Sequence, residues 1–520
     1  MRKPASVVLT SLVVLLPTFA SAAVDLVIDP TTNTSFPLVK GGVAAPIVVA
    51  EKVPEVIRIA AEDLAEDIER VTGVRPEIVR RRPGNGLAAV ELQLAPDAKG
   101  HWETFRLSAT PDRLVIDGTD PRGLAFGIYE LSRRIGVSPW FWWADVPVAK
   151  RDELHLSTGT GPIESPAVKY RGIFINDEDW GLEPWARLTF EPEVGDIGPK
   201  THARIFELLL RLRANTLWPG MHPSTIPFHQ VPGNAEMADK YAIVLGSSHA
   251  EPMLRNNVGE WKDNKSHYNF LSHRDKVLDY WEERVKQRTS GESIFTLGMR
   301  GIHDSAMVGP KNQRERIDAL EEIFREQRKM LARHLGNGDP KNVTQMFCPY
   351  KEVLDDYLAG LKVPEDATIV WPDDNFGYVR RFATPDERKR PGGLGVYYHM
   401  SYLGSPLSWL WFDSMPPALI WSEMTRAFEQ GAQTLWIGNV GDIKGNELST
   451  TYFLNLAWNA GRTAPAHSFD FLVELAGESF GTEHAEAIAG IWKRHQALAF
   501  DRKPEHTQWH LPGKSYRPTE

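Results

Sequence analysis

The chain has 520 residues, enough for two to four domains. Its formal net charge of −9 argues against a nucleic-acid partner. Its one cysteine, Cys348, excludes an intrachain disulfide, so a large core must hold the fold together.

Arg2 and Lys3 precede an apolar run, Val7 to Phe19, and then Ala20-Ser21-Ala22. That is the pattern of a secretory leader, with cleavage expected after Ala22. Residues 1–22 thus read as a signal peptide, and the mature protein is expected to be periplasmic or secreted. The run is too short to span a bilayer and no later segment is apolar enough, so no membrane association is expected. No Cys sits at the cleavage point, which argues against a lipid anchor.

Residues 23–156 read as an N-terminal α/β domain. Pro46–Ala50 is a predicted strand, and Val53 to Thr72 is an amphipathic helix ended by Gly73. Further strands are predicted at Ile78–Val79, Val90–Leu94, Thr104–Leu107 and Leu114–Ile116, and a second helix from Gly123 to Ile135. Pro139-Trp140-Phe141-Trp142-Trp143 reads as aromatic packing at a domain junction. Ser157 to Pro166 reads as a polar linker.

Residues 167–462 repeat strand, loop and helix. Strands are predicted at Tyr170–Ile175, Asn215–Trp218, Ala242–Leu245, Ile294–Leu297, Val343–Phe347, Thr368–Trp371, Leu394–Tyr398 and Thr434–Ile437. Helices are predicted at His202–Arg213, Arg274–Arg288, Arg314–His334, Glu352–Ala359 and Pro417–Glu429. Eight such repeats suit a (β/α)8 TIM barrel. A doubly wound sheet is the alternative, but no Gly-rich dinucleotide or phosphate loop follows any strand. Residues 463–520 read as a helical segment that starts a further, truncated domain. The fold class is therefore α/β: an α/β sandwich domain, a (β/α)8 barrel, then a C-terminal helical region.

Barrel enzymes keep their chemistry at the C-terminal ends of the strands. Here every strand end carries polar, aromatic or Gly/Pro residues. The densest is Trp371-Pro372-Asp373-Asp374-Asn375-Phe376-Gly377, where carboxylates, an amide and aromatic rings together suit a sugar pocket. The other ends supply Asp177, Glu251, Asp304, Glu352 and Asp442, with Arg300, Arg380, Arg381 and Lys444 as cations; Arg381 reads as a solvated surface charge. Two carboxylates suffice for glycoside cleavage, and positive charge suits a sugar that is itself a carboxylate. No Gly-x-Ser-x-Gly elbow is present. His222, His249, His303 and His399 lie on four separate loops, without the paired spacing of a zinc site, so hydroxyl binding is favoured over metal and no cofactor is implied.

Six ordered blocks resemble glycoside hydrolase family 115. They are Tyr170–Asp179, Gly298–Asp304, Tyr350–Val353, Trp371–Tyr378, Tyr398–Tyr402 and Asn439–Lys444. The resemblance implies a xylan α-1,2-glucuronidase that removes glucuronic acid or its 4-O-methyl ether from glucuronoxylan or acidic xylo-oligosaccharides, with inversion. It implies Glu352 as general acid and Asp304 as base, with Asp177 the rival base. Asn375, Tyr402 and Asn439 are implied pocket residues, and Arg300, His399 and Lys444 implied ligands of the uronate. Family members are usually longer, and a homodimer is expected only if the C-terminal region is complete. Two other readings remain open. One is an exo-glycosidase such as a hexosaminidase, which the adjacent Asp177-Glu178 pair suits. The other is a non-catalytic, truncated relative that binds acidic sugars.

Overall fold

The computed structural model describes residues 24–27, 35–84, 86–96, 100–402, 410, 413–460 and 467–502; the expected leader, residues 1–22, lies outside them. In the N-terminal domain, Glu55–Thr72 is helical because its apolar residues fall on one face. It stops at Gly73, whose φ of 77° is left-handed. Pro121–Arg134 starts at Asp120, whose side chain accepts the Gly123 amide at 2.9 Å. The two helices pack on each other, and the second packs on a six-strand sheet.

A second, four-strand sheet joins Leu26–Val27, Ser35–Lys40, Val43–Ala44 and Leu154–Ser157. The sequence reading did not foresee it, because these strands are short and Pro37 interrupts one of them. The stretch read as a polar linker also contributes structure. Gly159–Thr160 pairs antiparallel with Phe105–Thr110 and forms the edge of the six-strand sheet.

All eight predicted barrel strands form. They are β1 (Tyr170–Phe174), β2 (Thr216–Trp218), β3 (Val244–Leu245), β4 (Phe295–Thr296), β5 (Gln345–Phe347), β6 (Thr368–Pro372), β7 (Leu394–His399) and β8 (Leu435–Asn439). They run parallel in circular order, with β8 beside β1. A bridge between Leu245 and Ser293 joins β3 to β4 and closes the ring. Every predicted barrel helix forms, within a few residues at each end. Asn234–Lys240, unpredicted and only two turns long, links β2 to β3.

A separate core fills the barrel, built from residues such as Phe174, Trp218, Met346, Tyr397 and Ile437. After the barrel, His467–Phe480 and Ala485–Asp501 form the expected pair of helices.

At the N-terminal ends of the barrel strands a buried charged network joins the two domains. Glu103, fully buried, takes Arg171 of β1 at 2.7 Å, Asn215 at 3.0 Å and an ion pair from Arg122. Arg122 also reaches Glu292 at 2.8 Å. Burial raises the Glu103 pKa, but the two guanidinium groups and Asn215 outweigh it and hold it below the ordinary value.

Candidate active site

One guanidinium organises the opposite end of the barrel. Arg300 lies four residues beyond β4, with its side chain only 4% exposed. It forks onto Glu352, with Nε at 3.1 Å and Nη2 at 3.0 Å from Oε1 and Nη2 at 2.8 Å from Oε2. Its other edge is ion-paired with Asp304. Lys351 adds a bond of 2.7 Å to the second Asp304 oxygen. The backbone bends sharply to bring these groups together: His303, Asp304 and Lys351 have φ of 57°, 60° and 53°. Left-handed backbone at non-glycine residues costs about 1 kcal/mol or more each, and such strain clusters at functional sites.

Glu352 opens the helix Glu352–Leu358, where the helix N-terminus favours its anion. Burial works to raise its pKa, but hydrogen bonds and charge from Arg300 outweigh burial and hold it below the ordinary 4.5. Without substrate, Glu352 is a carboxylate.

His249 completes this cluster, with Nε2 at 2.9 Å from Asp304 Oδ1. Burial, reinforced by the Arg300 and Lys351 charges, pushes its pKa far down. The pair is thus a hydrogen bond to a neutral imidazole rather than a salt bridge. A carboxylate only accepts, so Nε2 carries the proton, and Nδ1 is buried without a partner.

The loops after β6, β7 and β8 form a second wall. The two aspartates of the β6 motif are consumed by this framework. Asp373 accepts the amides of Asn375 at 3.0 Å, Gly377 at 3.1 Å and His399 at 3.0 Å, and it holds His399 Nδ1 at 2.5 Å. Asp374 accepts the amides of Phe376 and Tyr378 and pairs with Arg380. Asn375, at φ 71°, accepts the Tyr350 hydroxyl at 2.6 Å. Tyr402 lies with its ring 5.4 Å from that of His399. Asn439 is fully buried, donating to the Tyr397 hydroxyl at 2.9 Å and accepting the Gly441 amide at 3.1 Å. These bonds tie β7 and the loop after β8 together.

Asp177 belongs to a third group. It is buried, accepts the Ser401 hydroxyl at 3.2 Å and faces His222 Nε2 at 3.6 Å. Burial opposes charge on His222, but Asp177, Glu178 and Asp179 prevail and push its pKa up to about 9. Its neighbour Glu178 is wholly buried and pushed up to about 7 by desolvation. Glu251 is likewise pushed up to about 8. The adjacent acids Asp177 and Glu178 therefore do not form an open catalytic pair. Gly441 lets the loops after β1, β7 and β8 meet. At φ 71°, a Cβ there would lie 2.5 Å from Ser401 Oγ and 2.9 Å from Asp177 Oδ2.

Lys444 lies apart from the Arg300 cluster. Its ammonium is 3.9 Å from Asp145 and its side chain is 63% exposed. Arg381, expected to be solvated, instead pairs with Glu387 at 2.7 Å and covers the Trp371 ring at 3.9 Å. Sequence reasoning gave no role to Lys351 or Tyr350, and grouped His249 only among histidines suited to binding hydroxyls, although all three stand at strand ends. The Tyr350-Lys351-Glu352 run was the signal for the first two.

The model of glycosyl hydrolase family 115 matches residues 163–506. Among solved structures, a family GH115 4-O-methyl-α-glucuronidase with specificity for decorated arabinogalactans is similar at a TM-score of 0.87 and 42% identity. The match covers 93% of this chain and 65% of that one, so this chain spans about two thirds of that relative's length. A GH138 enzyme targeting pectin rhamnogalacturonan II matches at a TM-score of 0.56 and 14% identity, over 90% of this chain and 72% of that one. The N-acetyl-β-hexosaminidase of Streptomyces plicatus matches at 0.54 and 14%, over 90% and 94%. These last two share the fold alone. Comparison with curated proteins gives no match.

Proposed function

Because the chain belongs to glycoside hydrolase family 115, we propose that it hydrolyses α-linked glucuronic acid, or its 4-O-methyl ether, from a decorated polysaccharide. The observation that carries this reading is Arg300 standing between Glu352 and Asp304. A guanidinium fork is built for a carboxylate, and here it is occupied by one in the protein. The uronate of the substrate is the competing carboxylate.

Competition would also resolve the protonation of Glu352. A general acid needs its proton, yet Arg300 keeps Glu352 ionised. When a uronate draws Arg300 away and brings its own negative charge, the Glu352 pKa rises. Glu352 then protonates the glycosidic oxygen. Asp304, faced by the Lys351 ammonium, takes a proton from water on the opposite face of the ring. Inversion, which the sequence blocks imply, needs the two carboxyl groups about 6.5–9.5 Å apart with room for a water. Asn375, His399 and Tyr402 supply hydroxyl contacts from the second wall. Export through the leader would suit a polymer that stays outside the cell.

The main chain of the polysaccharide is either xylan, as the sequence blocks imply, or arabinogalactan, as for the similar glucuronidase. The test is incubation with glucuronoxylan and with glucuronate-bearing arabinogalactan, followed by NMR of the products. The reading expects free uronic acid, with the β-anomer appearing first. No uronic acid from either polymer would overturn it, and an initial α-anomer would overturn inversion.

A further inference from the structure

A cavity opens beside the loops that carry Asp177 and Asp442. Its volume is about 660 Å³, within the range of small-ligand sites. Phe141, Trp142 and Asp145 of the aromatic block line one side. Trp185, Leu182 and Gly181, from the loop after β1, and Asp442 and Lys444, from the loop after β8, line the other side, and Arg70 and Trp143 also reach it. It therefore stands on the catalytic face of the barrel, where the N-terminal domain leans against it.

The aromatic block divides into two parts. Trp140 and Trp143 are buried, and each donates its indole N–H inside the protein, to Thr451 at 2.7 Å and to the Arg204 carbonyl at 3.1 Å. Those two are packing. Trp142 and Trp185 are partly open and stand edge-to-face, with ring centres 5.8 Å apart. Trp185 lies flat on Phe190 at 4.8 Å, which stiffens it. Partly open indoles flanked by two carboxylates, an ammonium and the Arg70 guanidinium have the composition of a sugar site. The ring faces meet C–H surfaces and the charged groups meet hydroxyls. With charges of both signs present, the site suits a neutral sugar better than an acidic one.

Continuity with the catalytic loops identifies the occupant. The Asp177 amide donates to the Gly441 carbonyl at 2.8 Å, and the next residue, Asp442, lines the cavity. Asp442 Oδ2 also accepts the Leu182 amide at 2.9 Å, tying the two loops together. Three residues beyond Asp177, Trp180 is 58% exposed and adds an aromatic face on the same loop. A polymer whose uronosyl branch enters the barrel mouth has its main chain outside, within reach of this cavity.

We propose that the cavity lined by Trp142, Trp185, Asp145 and Lys444 is a subsite for a neutral pyranose of the polysaccharide main chain, remote from the cleaved bond. This deepens the glucuronidase reading and rests on it. The subsite holds polymer but contributes nothing to a substrate without a main chain.

The test uses the full chain carrying Trp142→Ala, with Trp142→Phe as the conservative partner. Activity is measured on a glucuronate-bearing polymer and on an aryl α-glucuronide that lacks a main chain. Trp142→Ala is expected to raise KM on the polymer by about tenfold, the order of one aromatic contact. Activity on the aryl glucuronide should stay within about twofold of the starting protein, and Trp142→Phe should recover most of the affinity for polymer. Equal loss on both substrates, or no loss on the polymer, would overturn the subsite. A second readout does not depend on turnover. Neutral xylohexaose and β-galactan hexaose are titrated into Glu352→Gln protein and followed by tryptophan fluorescence. At least one should give a saturable change that Trp142→Ala abolishes, and no change with either would overturn the subsite. If the unmodified protein cleaves no glucuronoside yet this titration saturates, the function reading fails while the site stands.

Discussion

The two ends of the barrel use the same residue types to opposite effect. At the N-terminal end, Glu103 is fully buried and its oxygens are shared among Arg171, Arg122 and Asn215. At the C-terminal end, Glu352 and Asp304 share Arg300, but their side chains are 28% and 27% exposed. A sealed network can only hold the two domains together. An open one has a face where a ligand can compete for the guanidinium. Charge pairing alone therefore does not mark an active site; pairing with one side left open does.

That contrast is open to attack by substitution, and the largest effect is expected at the open end. Glu352→Gln should lower kcat by about 10²–10⁴-fold, as loss of a general acid does, while the thermal midpoint barely moves. Steady-state kinetics beside a melting curve reads both. The reverse is expected at the sealed end. Glu103→Ala leaves the buried Arg171 without its carboxylate and Arg122 with Glu292 alone, and should lose about 3–5 kcal/mol of stability in urea unfolding, with kcat on a small glucuronide little changed in whatever remains folded.

Glu178 gives a smaller, pH-dependent effect. Its folded pKa is raised to about 7, so the stability linked to its proton is complete below 4.5 and is lost as pH climbs through 7. Glu178→Gln cannot ionise. It should gain up to about 3 kcal/mol on the unsubstituted protein between pH 5 and pH 8, read from urea midpoints at the two pH values. A constant difference across that window would remove Glu178 from the buried, protonated acids. The smallest effect is expected from Asp373→Asn, which keeps most of the loop bonds but loosens His399. A kcat loss of about tenfold is expected, with KM little changed.

Much of this was legible in the sequence, and the failures have physical causes. Eight short apolar runs, each followed by polar or aromatic residues, gave the barrel and the end that carries the site. Arg300 and Asp304 were named from one block and Glu352 from another, and the fold brings them together. What one dimension does not show is where a polar group spends its hydrogen bonds. Asp373 and Asp374 stand in the motif that suits a sugar pocket, yet backbone amides of their own loop occupy them. Nor does the sequence show that Asn439 is buried and bonded to Tyr397 and Gly441. Lys444 was named from its block, and its 3.9 Å approach to Asp145, on a distant stretch of the chain, could not be read from it. The raised acids Glu178 and Glu251 were visible as letters, but their desolvation was not.

The central claim is that a uronate takes Arg300 and thereby arms Glu352. It is tested most directly by NMR titration of the Glu352 carboxyl in protein labelled with ¹³C at glutamate, with Glu352→Gln assigning the signal. Free protein should show Glu352 titrating below 4.5. Saturating glucuronate should raise that value by at least about one unit, as a nearby anion does, and xylose should leave it unchanged. A Glu352 signal that does not respond to glucuronate would contradict the account.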